Sequence, residues 1–152
     1  ASIDGPIQAF IHLNPAHAQF SSNGDLFVNS QKDILKHVFL LAKHLKPTLT
    51  ANGVRRSFMT VTRLDGALGV APNGQTGAIA GGLFGLAKTL NLEWPTTYCR
   101  AVDVAQDMAV QEAAQCIFAE LHDPNQLVVE VACTTEGRTT LVATPADLAP
   151  TD

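Results

Sequence analysis

Residues 57–104 read SFMTVTRLDGALGVAPNGQTGAIAGGLFGLAKTLNLEWPTTYCRAVDV, and this stretch decides the fold. Its first six residues, Ser57 to Thr62, include Phe58, Thr60, Val61 and Thr62, which are aromatic or β-branched, and predict a strand. Residues 63–75 carry Gly66, Gly69, Pro72, Asn73 and Gly74, the composition of a long loop. A helix is expected from about Thr76 to Glu93. Trp94-Pro95 stops it, because the residue before a proline avoids the helical region. Cys99 to Val104 then predicts a second strand. A strand, a crossover helix and a strand in succession imply a parallel pair.

The rest of the chain extends the alternation. Upstream, residues 6–13 (PIQAFIHL) are nearly all apolar, as in a strand buried on both faces, and Asn14-Pro15 ends them. Residues 16–29 are polar and read as an exposed loop. Ser30 is a plausible N-cap, with Asp33 in the first turn. Ile34, Val38, Leu41 and Leu45 then recur on one helical face until Pro47 and Gly53. Downstream, Met108 to Leu121 predicts a helix with Ala109, Ala113, Cys116, Ile117 and Leu121 on one side, ended by Asp123-Pro124. Leu127 to Cys133 predicts a strand. Glu136-Gly137 is a turn from which residues 138–142 return as a hairpin partner. The order β-α-β-α-β-α-β-β predicts a three-layer α/β domain over residues 1–142. Its sheet is mostly parallel with a short antiparallel edge hairpin, and residues 143–152 form a linker.

The 152 residues suit one core. They are 46% hydrophobic and 16% charged, against about 25% charged in an average protein. That deficit argues against disorder and suggests a surface that something else covers. Ten Lys and Arg against fourteen Asp and Glu give a net charge of −4 with no basic stripe, so a nucleic-acid partner is not expected. No apolar run approaches a membrane span, and the first residues lack the basic start of a signal peptide. Cys99, Cys116 and Cys133 form neither a disulfide framework nor a metal knuckle. Reduced, buried thiols in a cytoplasmic protein are expected.

Few residues carry chemistry. A phosphate-binding glycine loop must follow a strand directly and open a helix. The glycines at 77, 81, 82 and 85 lie inside the expected helix instead, where they allow close approach of another element. His37 and His44 are about 10 Å apart along one helix at 1.5 Å per residue, too far for one metal, and read as a solvated stripe. His12 could face the carboxyl edge of the sheet, where α/β ligands bind, or be a structural histidine. Asp65, Asp103 and Asp107 are loop-side carboxylates. Acid/base work is conceivable for them, but capping of the next helix suits Asp107 better. Arg63 could bind an anion or pair with Asp65 or Asp103. Buried Cys99 or Cys133 could in principle transfer acyl groups, although buried thiols are usually inert.

Thr62-Arg63, Phe84-Gly85-Leu86-Ala87-Lys88, Leu92-Glu93-Trp94-Pro95 and Val102-Asp103-Val104 together resemble the structural subdomain of ketoreductases in modular polyketide synthases. The wording is most similar to that of bacterial polyunsaturated fatty acid synthases. Residues 4–15 and the closing hairpin are consistent with the same fold, so the resemblance covers about residues 4–142. It implies a truncated Rossmann-like fold and descent from the short-chain dehydrogenase/reductase superfamily. Active members carry Tyr-x-x-x-Lys on the corresponding helix and a serine upstream. Here Phe84 stands at the tyrosine position and Ala71 at the serine position, while Lys88 is retained.

The resemblance therefore implies a noncatalytic scaffold with no cofactor of its own. The next segment of the same polypeptide would be the catalytic subdomain, holding NADPH and β-ketoacyl reductase activity. Acyl carrier protein domains would be indirect partners. The first strand has nothing before it to supply a phosphate loop, and the tail reads as the link to the catalytic half. The docking face would comprise Gly77, Gly81, Gly82, Phe84, Gly85 and Lys88. The alternative is a stand-alone α/β domain binding a ligand at the carboxyl edge near His12, Arg63 and Asp103.

Overall fold

A computed structural model describes residues 5–14, 29–71 and 78–145, with the side chains of 29–31 and 78–79 excepted. Eight elements follow in the expected order: β1 (Ala9–Leu13), α1 (Asn29–Leu49), β2 (Arg56–Thr62), α2 (Ala78–Glu93), β3 (Thr97–Val104), α3 (Val110–His122), β4 (Glu130–Thr134) and β5 (Gly137–Thr139). The sheet runs β1-β2-β3-β4-β5. Its first four strands are parallel, and β5 is antiparallel to β4. The molecule is an α/β domain of truncated Rossmann-like architecture. Gly77 and most of the expected linker lie outside the described residues.

Alternation along the strands divides the core in two. Phe58 and Cys99 meet Val38, Ala42 and Leu49 of α1 and Leu83 and Leu90 of α2 on one face. Trp94, just beyond α2, closes this cluster, its ring edge-on to Phe58 at 6.0 Å. Met59, Val61, Val102, Val104, Val131 and Cys133 point to the other face, where α3 contributes Ala113, Cys116 and Ile117. Strands laid down in sequential order with right-handed crossovers would put every helix on one face. Helix α3 lies opposite α1 and α2, so the β3–α3–β4 crossover has the opposite hand. Among the described residues, no helix therefore covers β4 and β5 on the α2 side. An open groove of about 450 Å³ remains there, lined chiefly by Lys88, Leu127, Glu130, Leu141 and Val142.

Several expectations need correction. β1 is not buried on both faces: its residues alternate between exposed and half-buried, because it is an edge strand paired only with β2. Pro47 lies inside the last turn of α1, which continues to Leu49, where the side chain is buried. Thr50 carries the chain beyond it, bonding the Lys46 carbonyl through both its amide and its hydroxyl. Leu41 is 45% exposed, and Ala42 takes the core position. Asp107 does not cap α3. The N-cap is Ala109, whose amide is bonded by the Glu112 carboxylate.

The cysteine expectation changes most. Cys116 of α3 and Cys133 of β4 are joined by a disulfide, their Cα atoms 6.7 Å apart. Helix α3 lies across β4 and brings the two together, a tertiary contact that a separation of 17 residues does not announce. Cys99 is free and buried. Burial pushes its thiol up to about 12, so it is not a nucleophile at neutral pH. A native-state thiol titration without reductant should label essentially nothing. Unfolding should release one reactive thiol, and unfolding with reductant three. Rapid native labelling would contradict the burial of Cys99, and three thiols without reductant would contradict the disulfide.

Candidate functional site

Helix α2 carries most of the residues singled out above. One side of it is core: Phe84, 7% exposed, packs with Leu64, Ala80, Ala87 and Ala101. Phe84 thus lies beneath the helix rather than on its outer surface. The other side bears Gly81, Gly85, Lys88 and Leu92, all exposed and spaced to share one face. A Cβ added at Gly81 or Gly85 would meet nothing within 4 Å. At Gly82 it would lie 2.8 Å from Cδ2 of Leu35, so this glycine admits α1. Lys88 is half-exposed, and its Nζ lies 2.7 Å from Oε2 of Glu130 at the margin of the open groove.

Two interior glycines in an exposed helix cost about 0.8–1 kcal/mol each relative to alanine. Among the described residues, nothing compensates for that at Gly81 or Gly85. Gly81→Ala and Gly85→Ala should each raise the urea midpoint of the isolated chain, adding about 1 kcal/mol of stability without changing its spectrum. A loss of stability from either would show that the outer face already has a neighbour within the chain.

At the carboxyl edge, Arg63 follows β2 and turns toward α3. Its guanidinium donates to the backbone carbonyls of Ala105, Gln106 and Met108. It pairs with neither Asp65 nor Asp103. Asp103 is fully buried and accepts from the amides of Leu64 at 2.8 Å and Leu68 at 3.0 Å. Asp65 accepts from Ala67, Gly69 and Ala71, at 2.8, 2.9 and 3.1 Å. These two aspartates organise the loop that follows β2, and neither caps a helix. Burial pushes the Asp103 carboxyl up to about 6, and the facing Asp65 adds to this against the two amides. Burial also pushes Asp65 up, but its three amide donors outweigh that and hold it low. His12, on β1, has its pKa lowered by burial, which outweighs a hydrogen bond with Asn14. Asp103 and the end of the Arg63 guanidinium thus have different partners, while His12 Nε2 and Arg63 Nε are buried without a hydrogen-bond partner.

Tyr98, the one tyrosine of the chain, lies on the face opposite α2. Its hydroxyl donates to the Glu120 carbonyl at 2.8 Å and accepts from Arg100. It cannot stand in for a phenol at position 84. Around it is a charged network that the sequence reading missed. Arg100 is fully buried, with Glu120 Oε2 at 3.3 Å and Asp123 Oδ2 at 3.0 Å, and Arg138 of β5 reaches the same two carboxylates. The guanidinium of Arg55 lies 4.0 Å above the Tyr98 ring. An arginine in the middle of a mostly apolar strand was the only signal in the sequence. Among the described residues, no group of three or more His, Cys, Asp or Glu is placed to hold a metal, and no helix is long and apolar enough to cross a membrane.

The fold and this helix define a truncated Rossmann-like domain with an open outer face. The chain is related to a region of a polyunsaturated fatty acid synthase. It is 37% identical, over an alignment of 123 residues that covers 72% of this chain, to a polyunsaturated fatty acid synthase subunit of Thraustochytrium sp., and it spans 4% of the length of that relative. No family model matches the chain, and no solved structure matches it significantly.

Proposed function

We propose that this chain is the noncatalytic structural subdomain of a β-ketoacyl reductase within a polyunsaturated fatty acid synthase. It scaffolds an adjacent NADPH-dependent catalytic subdomain of the same polypeptide, and acyl carrier protein domains deliver substrate to that neighbour rather than to this chain. The observation that carries the reading is the state of α2. Where ketoreductases of this superfamily have the proton-donating phenol, Phe84 offers a benzyl ring with no acidic proton, buried in the core. Where they have the carbonyl-orienting hydroxyl, Ala71 offers a methyl group and uses its amide to bind Asp65. The retained Lys88 is paired with Glu130. These residues do not fit a nicotinamide site, so no hydride-transfer step is derived through them. The uncompensated glycines of the outer face and the similarity to a fatty acid synthase support the same reading.

Calorimetry with NADPH tests it. The 152-residue chain should give no binding heat, and the longer synthase polypeptide containing it should bind saturably. Binding by the short chain, or ketone reduction by it, would overturn the proposal. Phe84→Tyr should not confer turnover, because the new phenol would sit in the core.

A further inference from the structure

The loop from Arg63 to Ala71 is held by its own amides. Five of them enter two carboxylates: Leu64 and Leu68 bond Asp103, and Ala67, Gly69 and Ala71 bond Asp65. The consecutive amides of Ala67, Leu68 and Gly69 go to Asp65, Asp103 and Asp65 in turn, which sets the two carboxyl groups beside each other, where a proton on one of them lets the pair hydrogen-bond. The backbone between them takes left-handed conformations at Gly66, Leu68 and Gly69, with φ of 68°, 60° and 80°. A leucine does so only when its surroundings compel it. The loop is also pressed against its base: a Cβ at Gly66 would lie 2.8 Å from Cβ of Ala105 and 2.9 Å from Cγ2 of Thr134.

No cation offsets the pair among the described residues. Arg63 leaves the loop for the carbonyls beyond β3, and Lys88 of α2 is committed to Glu130 of β4. From β2, Asp103 meets the Thr62 hydroxyl, at 3.5 Å. From β4 its register partner is Ala132. Beneath the loop, α2 presents Ala80, Phe84 and Ala87 to Leu64 and Leu68. Asp65 is thus the titratable group that faces Asp103.

We propose that Asp103 and Asp65 form a proton-sharing latch on the β2–α2 loop, closed when one proton lies between them and loosened when that proton leaves to solvent. Loss of the proton leaves two carboxylates facing each other in a site with no cation. The folded loop raises the Asp103 carboxyl from 3.8 to about 6. The stabilisation from this group is therefore complete below pH 3.8 and is lost as the pH rises through about 6. The latch does not depend on the scaffold reading, since every group in it belongs to this chain.

Hydrogen exchange of the whole chain, corrected for intrinsic rates, tests the latch. Protection of the amides from Leu64 to Ala71 should fall about tenfold between pH 5 and pH 7, while amides of β3 and β4 stay constant. Asp103→Asn, which keeps an uncharged acceptor, should abolish the pH dependence. Asp65→Asn removes the facing charge and should move the transition to lower pH, so it keeps the test available if Asp103→Asn does not fold. Loop protection that is flat from pH 5 to pH 8 would overturn the proposal, as would an unchanged transition in Asp65→Asn.

Discussion

Arg100→Met is expected to cost about 3–5 kcal/mol of stability, enough to unfold a domain of ordinary stability at 37 °C. The guanidinium is fully buried in β3, where it meets the Tyr98 hydroxyl, Glu120, Asp123 and the Asn125 carbonyl. Removing it leaves two carboxylates sharing Arg138 alone, and one of them, Glu120, is nearly solvent-free. An unbalanced buried charge costs more than the pair contributes, so truncating one partner is the damaging change. Arg138 is 41% exposed and water can replace it, so Arg138→Met should cost at most about 1 kcal/mol. Urea denaturation of the two variants checks the contrast, and equal losses would refute a buried-charge origin. The pH dependence has a definite sign. The Asn125 amide, with the nearby arginines, holds the Asp123 carboxyl below 3.8 in the fold. The stabilisation from Asp123 is therefore present above that value and lost as the pH falls through its folded value. The Arg100→Met deficit should shrink in acid.

The second large effect concerns assembly. Gly81→Leu combined with Gly85→Leu should leave the isolated chain folded, since both sites open on empty space. Leucine is also the better helix former by nearly 1 kcal/mol per site. If the chain scaffolds a catalytic subdomain as proposed, the same pair in the longer synthase polypeptide should abolish packing against it. It would then reduce NADPH-dependent ketone reduction by at least about tenfold, which takes about 1.4 kcal/mol of lost interaction. Limited proteolysis gives an independent readout, because undocked subdomains separate at their linker. Unchanged activity and proteolysis would mean that the outer face of α2 is not the docking surface. A destabilised isolated chain would mean that the face is not free. Gly82→Leu is the contrasting control. Its side chain would drive into Leu35 of α1 and should destabilise the isolated chain by about 1–3 kcal/mol through overpacking.

Much of the fold was legible because the relevant signals are local. Trp94-Pro95 ends α2 where expected, since a residue before proline is excluded from the helix whatever surrounds it. Gly137 lies in the hairpin turn with φ of 143°, which only glycine adopts readily. Boundaries slipped where tertiary packing overrode the local signal. Pro47 stayed helical in the last turn of α1, where Leu49 has core to enter. β1, a run of apolar residues, became a half-exposed edge. Of the candidate site the sequence shows only the identities of Ala71, Phe84 and Lys88, while the burial of Phe84 and the pairing of Lys88 with Glu130 depend on the fold.

The sequence alone determined the alternation of strands and helices and the parallel sheet. These follow from periodicity, turn chemistry and side-chain identity, which the chain carries residue by residue. Only the tertiary structure decided the hand of the last crossover, because a helix of given amphipathicity fits either face of a sheet. That choice placed α3 opposite α2, set Cys116 against Cys133, buried Arg100 beside Glu120 and left the groove beside Lys88 open. Only the tertiary structure, too, brought Asp65 to Asp103, far apart along the chain, since a carboxylate finds its amides and its proton in space and not in sequence.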